Sequence, residues 1–325
     1  MKRFKVITHK DLDGVGCGVV LRTILHGHYV FVKFVGYDDV NQVVHDSLKE
    51  NWDKIFITDI SVNKETAELI DKEYKGKVIL IDHHPDLEWL NDGYDWATVR
   101  PGEKNKPDTP SGTSLLYEFL MTKFLSSNIN IGRNARLEEF IENVRRYDTY
   151  IWKSIYHDKV PKRLNDYLGM VGFFSFMDEM VKHIELNEPL LTDDANMVLD
   201  FKEKEIEIYI KTKNKNISKR VIDGYVVGFL YAEQYHSELG NGLMELNKDL
   251  DLVVMMDLSR KKISIRSLEG KGVDCTKIAQ KWYKGGGHEL ASGSQIPDLI
   301  SSAVQAMLFR SFTQMPGYDG IIEQK

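Results

Sequence analysis

The stretch Lys77-Val78-Ile79-Leu80-Ile81-Asp82-His83-His84 decides how this chain reads: an apolar run ends abruptly in a carboxylate and two imidazoles. Two earlier runs end in the same way. Phe4-Lys5-Val6-Ile7-Thr8 leads into His9-Lys10-Asp11-Leu12-Asp13-Gly14, and Ile55-Phe56-Ile57-Thr58 leads into Asp59. Short, mostly apolar runs of this kind are strands covered on both faces. A further strand is expected from Tyr29 to Val35. Helical patterns fall between the strands, from Val15 to Leu25 behind Gly14, from Val40 to Glu50 and from Lys64 to Glu73. The alternation predicts an α/β fold with right-handed crossovers and a mostly parallel sheet. Open sheets of this type place ligands beyond the carboxyl ends of their strands. His9, Asp11, Asp13, Asp59, Asp82, His83 and His84 all fall there.

Several carboxylates at one sheet edge are costly unless positive charge sits among them. Taken singly, each residue has a plainer reading: an aspartate at a strand end caps the next helix, and a histidine is a polar loop residue. Three coincident strand ends favour bound divalent metal ions instead. His9, Asp11 and Asp13 alternate, so an extended backbone would aim them to one side. A mixed imidazole and carboxylate set suits Mn²⁺ better than an all-oxygen calcium site or a thiolate zinc site.

The chain's 325 residues suggest two domains, and its 42% hydrophobic and 28% charged content is that of a globular protein. The 2 cysteines, Cys17 and Cys275, support neither a disulfide framework nor a thiolate metal site, and point to a reducing, cytoplasmic setting. No segment is long and apolar enough to span a membrane, and the apolar run behind the basic N-terminus is too short for a signal peptide. The net charge of -6 argues against a protein that coats nucleic acid through a broad positive field. A small anionic substrate remains compatible, because bound metals reverse the local sign.

Beyond the first strands, Ser111-Gly112-Thr113 opens a helix through about Leu125, either as a cap or as a phosphate contact. A helix is expected near Leu137 to Arg146. Asp194 to Lys213 reads as a charged connecting helix, and Lys211 to Arg220 as a solvated basic stretch. A smaller α/β pattern follows: strands Tyr225 to Tyr231, Leu252 to Leu258 and Ile263 to Leu268, helices Leu239 to Leu246 and Asp274 to Trp282, and a last helix from Pro297 to Phe309. The second and third of these strands form a hairpin through Ser259-Arg260-Lys261-Lys262. Gly285-Gly286-Gly287-His288 can be a flexible turn or an anion-binding loop. Arg266 can be a strand-face salt-bridge partner or a phosphate clamp. Ser237 can cap a helix or touch a nucleotide.

His9-Lys10-Asp11-Leu12-Asp13-Gly14, Asp59 and Asp82-His83-His84 together resemble the DHH phosphoesterase superfamily, which includes RecJ-type exonucleases, oligoribonucleases (nano-RNases), cyclic-dinucleotide phosphodiesterases and family II inorganic pyrophosphatases. The resemblance implies one more aspartate downstream after a helix, and Asp148 matches it. It implies that His9, Asp11 and Asp59 hold one divalent metal ion and that Asp13, Asp59, His83 and Asp148 hold a second, with Asp59 bridging. The metals would be Mn²⁺ or Mg²⁺. Asp59, Asp82 and His84 would belong to the catalytic set, with His84 facing the substrate phosphate. Ser264 and Arg266 with Gly285, Gly286, Gly287 and His288 resemble the substrate-binding strand and glycine loop of the DHHA1 domain.

The expected organisation is therefore a DHH metal-binding domain at residues 1–190, a helical linker at 191–220 and a DHHA1 domain at 221–325. The implied activity is hydrolysis of short oligonucleotides or dinucleotides to mononucleotides by a two-metal mechanism, with a homodimer as the expected assembly. The alternatives are an inorganic pyrophosphatase, which the Ser259 to Lys262 string also resembles, a phosphatase of cyclic dinucleotides or 3′-phosphoadenosine 5′-phosphate, and a silent nucleotide sensor.

Overall fold

The computed structural model describes residues 1–103, 106–124 and 134–296. The chain divides into two compact units, Met1–Leu199 and the remainder from Asp200.

In the first unit, strands β1 (Arg3–Thr8), β2 (Tyr29–Phe34), β3 (Lys54–Thr58), β4 (Val78–Asp82) and β5 (Ala97–Val99) form one parallel sheet in the order β2-β1-β3-β4-β5. The order reverses between β1 and β3, so a crevice opens beyond their carboxyl ends. The strands are apolar on both sides because both faces are covered. Phe4, Val6, Phe56 and Ile81 belong to one buried cluster. Their neighbours Ile7, Ile55, Ile57 and Leu80 belong to another.

The second of these clusters is closed by α2 (Val40–Leu48) and α3 (Lys64–Leu69), which continues as a wider turn through Tyr74, with α4 (Trp89–Gly93) leading into β5. The first is closed by α1 (Leu12–Ile24), α5 (Gly112–Phe119), α6 (Ala135–Asp148), α8 (Val160–Val171) and α9 (Phe173–Glu185), with the short α7 (Ile151–Ser154) between α6 and α8. Helix α1 is buried almost all round, and its small residues let neighbours approach. At Gly16 a Cβ would lie 2.4 Å from the Thr113 hydroxyl oxygen, so α5 seats against bare backbone there. Phe140 of α6 and Phe176 of α9 are fully buried beside it. Truncating either to Ala costs about 3–5 kcal/mol.

Helix α10 (Asp193–Asn214) runs through the division between the units. The second unit holds β6 (Ser218–Ile222), β7 (Tyr225–Tyr231), β8 (Leu252–Asp257), β9 (Lys262–Arg266), β10 (Gly286–His288) and β11 (Ala291–Gln295) in the order β10-β11-β9-β8-β7-β6. Only β7 and β8 are parallel; every other pair is antiparallel. Helix α11 (His236–Leu246) packs Leu239, Leu243 and Met244 on one face of this sheet. Helix α12 (Cys275–Tyr283) packs Cys275, Ile278 and Ala279 on the other.

The basic stretch from Lys211 to Arg220 is largely exposed, as expected, and its end forms the edge strand β6. Two expectations need correction. The triple glycine is neither a flexible turn nor a loop at Gly286 and Gly287, because both pair with β11 as a strand. Helices α8 and α9 and strand β5 add elements between Asp82 and the connecting helix that the sequence pattern did not separate. The helix expected from Pro297 to Phe309 lies outside the described residues. Among the described residues no helix is long and apolar enough to cross a membrane.

Candidate metal centre

The chain leaving β1 supplies three of the candidate groups. Asp11 is the N-cap of α1: its Oδ1 accepts from the Gly14 amide at 2.9 Å, while its Oδ2 lies 2.6 Å from His9 Nδ1. One carboxylate thus starts the helix and fixes the imidazole, leaving His9 Nε2 as the outward donor.

Asp13, 2% exposed, sits a turn deeper. Its two oxygens accept from the backbone amides of Gly112 at 2.6 Å and Thr113 at 2.9 Å, and the Thr113 hydroxyl donates to the Asp13 carbonyl at 2.7 Å. These amides open α5, so a buried negative charge meets the positive end of a helix. Ser111 and Ser114 form a reciprocal cap at the same end. The Ser111-Gly112-Thr113 segment is therefore a cap whose free amides are spent on Asp13. A Cβ at residue 112 would lie 2.8 Å from Asp59 Cβ and 2.9 Å from Asp13 Oδ2, so only glycine fits. The sequence pattern did not reveal this clamp, because it joins residues 99 positions apart.

Asp59 ends β3 with a left-handed backbone, φ 54°, a conformation Asp and Asn tolerate better than most residues. It is 1% exposed and its Oδ2 has no hydrogen-bond partner among the described residues. Burial, with the nearby Asp13 and Asp11 charges, pushes its carboxyl well above the ordinary range.

At the end of β4, Asp82 is fully buried. Its Oδ1 accepts from the amides of His83 at 2.6 Å and His84 at 3.0 Å, and from His84 Nδ1 at 2.6 Å. That last bond raises the His84 imidazole to about 9. Asp82 Oδ1 thus orients the two histidines, while its Oδ2 is buried without a hydrogen-bond partner among the described residues; His83 points inward. Its Nε2 lies 3.4 Å from Asp59 Oδ1, 3.5 Å from Asp148 Oδ2 and 3.7 Å from Asp13 Oδ2, buried and without a hydrogen bond among the described residues. Asp148 is the last residue of α6, where the helix dipole disfavours a negative charge. Burial and then the charges of Asp13 and Asp11 hold its carboxyl well above the ordinary range.

An imidazole nitrogen surrounded by carboxylates at these distances is too far for hydrogen bonds and well spaced for ligands about a shared cation. Donor atoms within 4.8 Å of one another form three sets: His9, Asp11 and Asp59; Asp59, His83 and His84; and Asp13, His83 and Asp148. Asp59 and His83 each belong to two sets, which fits two adjacent divalent cations. Unpaired buried oxygen, an orphaned nitrogen and the raised carboxyls of Asp59 and Asp148 are all relieved by positive charge. The residues present therefore fit the expected group. Tyr37, which the sequence pattern did not single out, stands at the rim with its ring 5.0 Å from that of His9.

In the second unit, Ser264, Arg266, Gly286 and Gly287 line a shallow groove of about 420 Å³, floored by β9 and β11. Gly285 and His288 lie outside its walls, and His288 is exposed at the end of β10. At Gly287, φ 141°, a Cβ would lie 2.7 Å from Ser292 Cα, so the backbone itself forms the groove surface. Arg266 packs over Gly240, donates to the Ile265 carbonyl at 2.9 Å, and makes no ion pair among the described residues. Its second guanidinium nitrogen lies 3.4 Å from the Ser237 hydroxyl. Ser237 lies inside α11, whose N-cap is Tyr235, and so does not cap it. The Ser259 to Lys262 string is a hairpin connection whose Ser259 hydroxyl and Arg260 amide donate to Asp257 at 2.7 Å and 3.0 Å.

The N-terminal domain of the DHH family matches residues 3–144. The chain is 34% identical over 315 residues to the oligoribonuclease NrnB of Bacillus subtilis, a match covering 94% of this chain and 76% of that protein. Among solved structures, the exonuclease RecJ bound to manganese aligns with a TM-score of 0.56 at 13% identity, over 97% of this chain and 91% of that one. The pGpG-specific phosphodiesterase PggH of Vibrio cholerae aligns with a TM-score of 0.55 at 16% identity, over 96% and 99%. These two likenesses speak for the fold. With the strand-end carboxylates and imidazoles placed as described, and identity to a curated relative along most of its length, this chain belongs to the DHH family.

Proposed function

We propose that the protein is a metal-dependent phosphodiesterase that hydrolyses short oligonucleotides, down to dinucleotides, to mononucleotides. The observation that carries this reading is the orphaned His83 Nε2 among the carboxylates of Asp13, Asp59 and Asp148. The identity to an oligoribonuclease gives the substrate class.

His9, Asp11 and Asp59 would hold one divalent cation and Asp13, Asp59, His83 and Asp148 the other. The mixed donor set favours Mn²⁺, with Mg²⁺ as the harder alternative. Two such cations, when bound, acidify water and neutralise phosphate oxygens.

The chain's own residues supply the remaining functions. Asp11 and the α5 amides lock His9 and Asp13 in place before substrate arrives, so no reorganisation is needed during reaction. Asp82 holds His84 in its charged form, so the His84 Nε2–H can donate to a phosphate oxygen or deliver a proton to a leaving alkoxide. Arg266, which makes no ion pair among the described residues and lines the groove with Gly286 and Gly287, offers a phosphate contact in the second unit. Gly285 and His288 would extend that contact as neighbours of the groove.

A substrate panel tests the reading: dinucleotides, longer RNA and DNA strands, cyclic dinucleotides and pyrophosphate, each with Mn²⁺ or Mg²⁺. The expected result is the highest kcat/KM on two to several nucleotides, a decline with length, and poor hydrolysis of pyrophosphate. Efficient pyrophosphate hydrolysis without dinucleotide cleavage would overturn it.

A further inference from the structure

Strands β1 and β2 run parallel as neighbours, so their carboxyl ends lie side by side. The Val35 amide donates to the Thr8 carbonyl at 2.9 Å, and the chain leaving β2 therefore passes beside His9. Tyr37 lies on this segment. One side of its ring faces the His9 imidazole, with planes inclined by 43°. The residue is nevertheless 62% exposed, and its phenol has no hydrogen-bond partner among the described residues. The exposed aromatics at the opposite end of β2 differ. Tyr29 and Phe31 both stack on Trp52, with Arg3 over the Tyr29 and Trp52 rings and Lys5 over those of Phe31 and Trp52. Those rings are covered by one another, whereas Tyr37 keeps an open face at the rim of the candidate metal centre.

We infer that Tyr37 is a base-stacking residue, and that the nucleobase adjoining the scissile phosphate lies on its open face. This assignment rests on the proposed phosphodiesterase activity and adds the part of the substrate that the first unit recognises. A nucleobase sits one sugar away from its phosphate. A phosphate held beside His9 therefore brings its own base within reach of a ring in contact with His9. Stacking is indifferent to base identity, because every base presents a π-face. The ring would thus separate nucleotides from base-free phosphoanhydrides and phosphodiesters without selecting among the four bases.

The experiment measures kcat and KM for wild type, Tyr37→Phe, Tyr37→Ala and Tyr29→Ala on a ribodinucleotide and on an abasic dinucleotide with the same backbone. Mn²⁺ affinity is measured by calorimetry alongside. Tyr37→Ala should raise KM for the dinucleotide about tenfold or more, leave the abasic substrate unchanged and leave Mn²⁺ affinity unchanged. Tyr37→Phe, which keeps the π-face, and Tyr29→Ala, at the far end of the strand, should behave as wild type. An unchanged KM in Tyr37→Ala, an equal rise on the abasic substrate, or weakened Mn²⁺ binding, which would make Tyr37 a support for His9, would each overturn the assignment. If wild type turns over no dinucleotide, the proposed activity fails and the stacking role falls with it. Turnover by wild type with an indifferent Tyr37→Ala removes the stacking role alone.

Discussion

Asp59→Asn should make the metal-free protein more stable and the metal-loaded protein relatively less so. The substitution is nearly isosteric, and Asn is among the few residues that accept the left-handed backbone at φ 54°, so the chain path is preserved. What changes is charge. The donor oxygens of Asp59 and Asp11 lie within 4.8 Å of each other. At an effective dielectric near 20, like charges at that separation repel by about 3 kcal/mol. Asp11 is 42% exposed at its side chain, and solvent screening reduces the net gain to about 2 kcal/mol. For a unit of this size that corresponds to a rise of about 4–8 °C in Tm.

The sign with pH is fixed by the raised Asp59 carboxyl. Native protein binds the proton more tightly than unfolded chain. Stability of the metal-free wild type therefore falls as pH rises above the ordinary carboxylate range. The variant lacks that contribution, so its advantage should grow between pH 5 and pH 8, values in the range where such linkage is read. Scanning calorimetry in EDTA and in Mn²⁺ reads both effects. Mn²⁺ at about a hundred times its Kd should stabilise wild type by about 3 kcal/mol and the variant much less, reversing the order of Tm. A metal-free variant less stable than wild type at pH 8, or an equal Mn²⁺ shift in both, would refute the reasoning.

Gly112→Ala forces a Cβ to within 2.9 Å of Asp13 Oδ2; it should cost about 1–3 kcal/mol by urea unfolding and lower kcat/KM, and normal activity at wild-type stability would contradict the α5 clamp. Asp82→Asn should bring the His84 imidazole of the metal-free protein from about 9 toward its ordinary 6.5, as followed by ¹⁵N NMR titration. Because the native value is raised, the stability from this pair is present below 6.5 and disappears as pH passes about 9; an unmoved titration would show that another group sets it. Arg266→Ala should raise KM for dinucleotides about tenfold while bound Mn²⁺ stays unchanged, and loss of metal would contradict its assignment to substrate.

The parallel sheet and its loaded strand ends were legible because β1, β3 and β4 carry short apolar runs that stop at an acid. Strand β5 was not, since Ala97–Val99 is too brief to show a period. Helices α8 and α9 were not separated although Leu164, Leu168, Phe176, Met180 and Ile184 recur at helical spacing; the break at Gly172, φ 81°, was the available signal. The glycine strand β10 was misread because glycine signals turn wherever pairing partners are unknown, and its partner β11 lies beyond it in sequence. Asp148 was reached by resemblance alone, for nothing local distinguishes a helix-terminal aspartate. The α5 clamp on Asp13 and the contact of Tyr37 with His9 are tertiary, and no spacing rule reports them.

The proposed ligands are spread along the chain from His9 to Asp148, and that spread has a consequence during synthesis. The first acids emerge from the ribosome early, but His83 lacks its third carboxylate neighbour until α6 is complete. At about 5–20 residues per second, roughly 7–28 s pass between the first ligand and the last. During that interval the nascent chain presents scattered single donors, which bind divalent cations weakly and without selectivity. Tight loading must then follow the folding of the whole first unit. The cation captured is set by what is free in the surroundings at that moment.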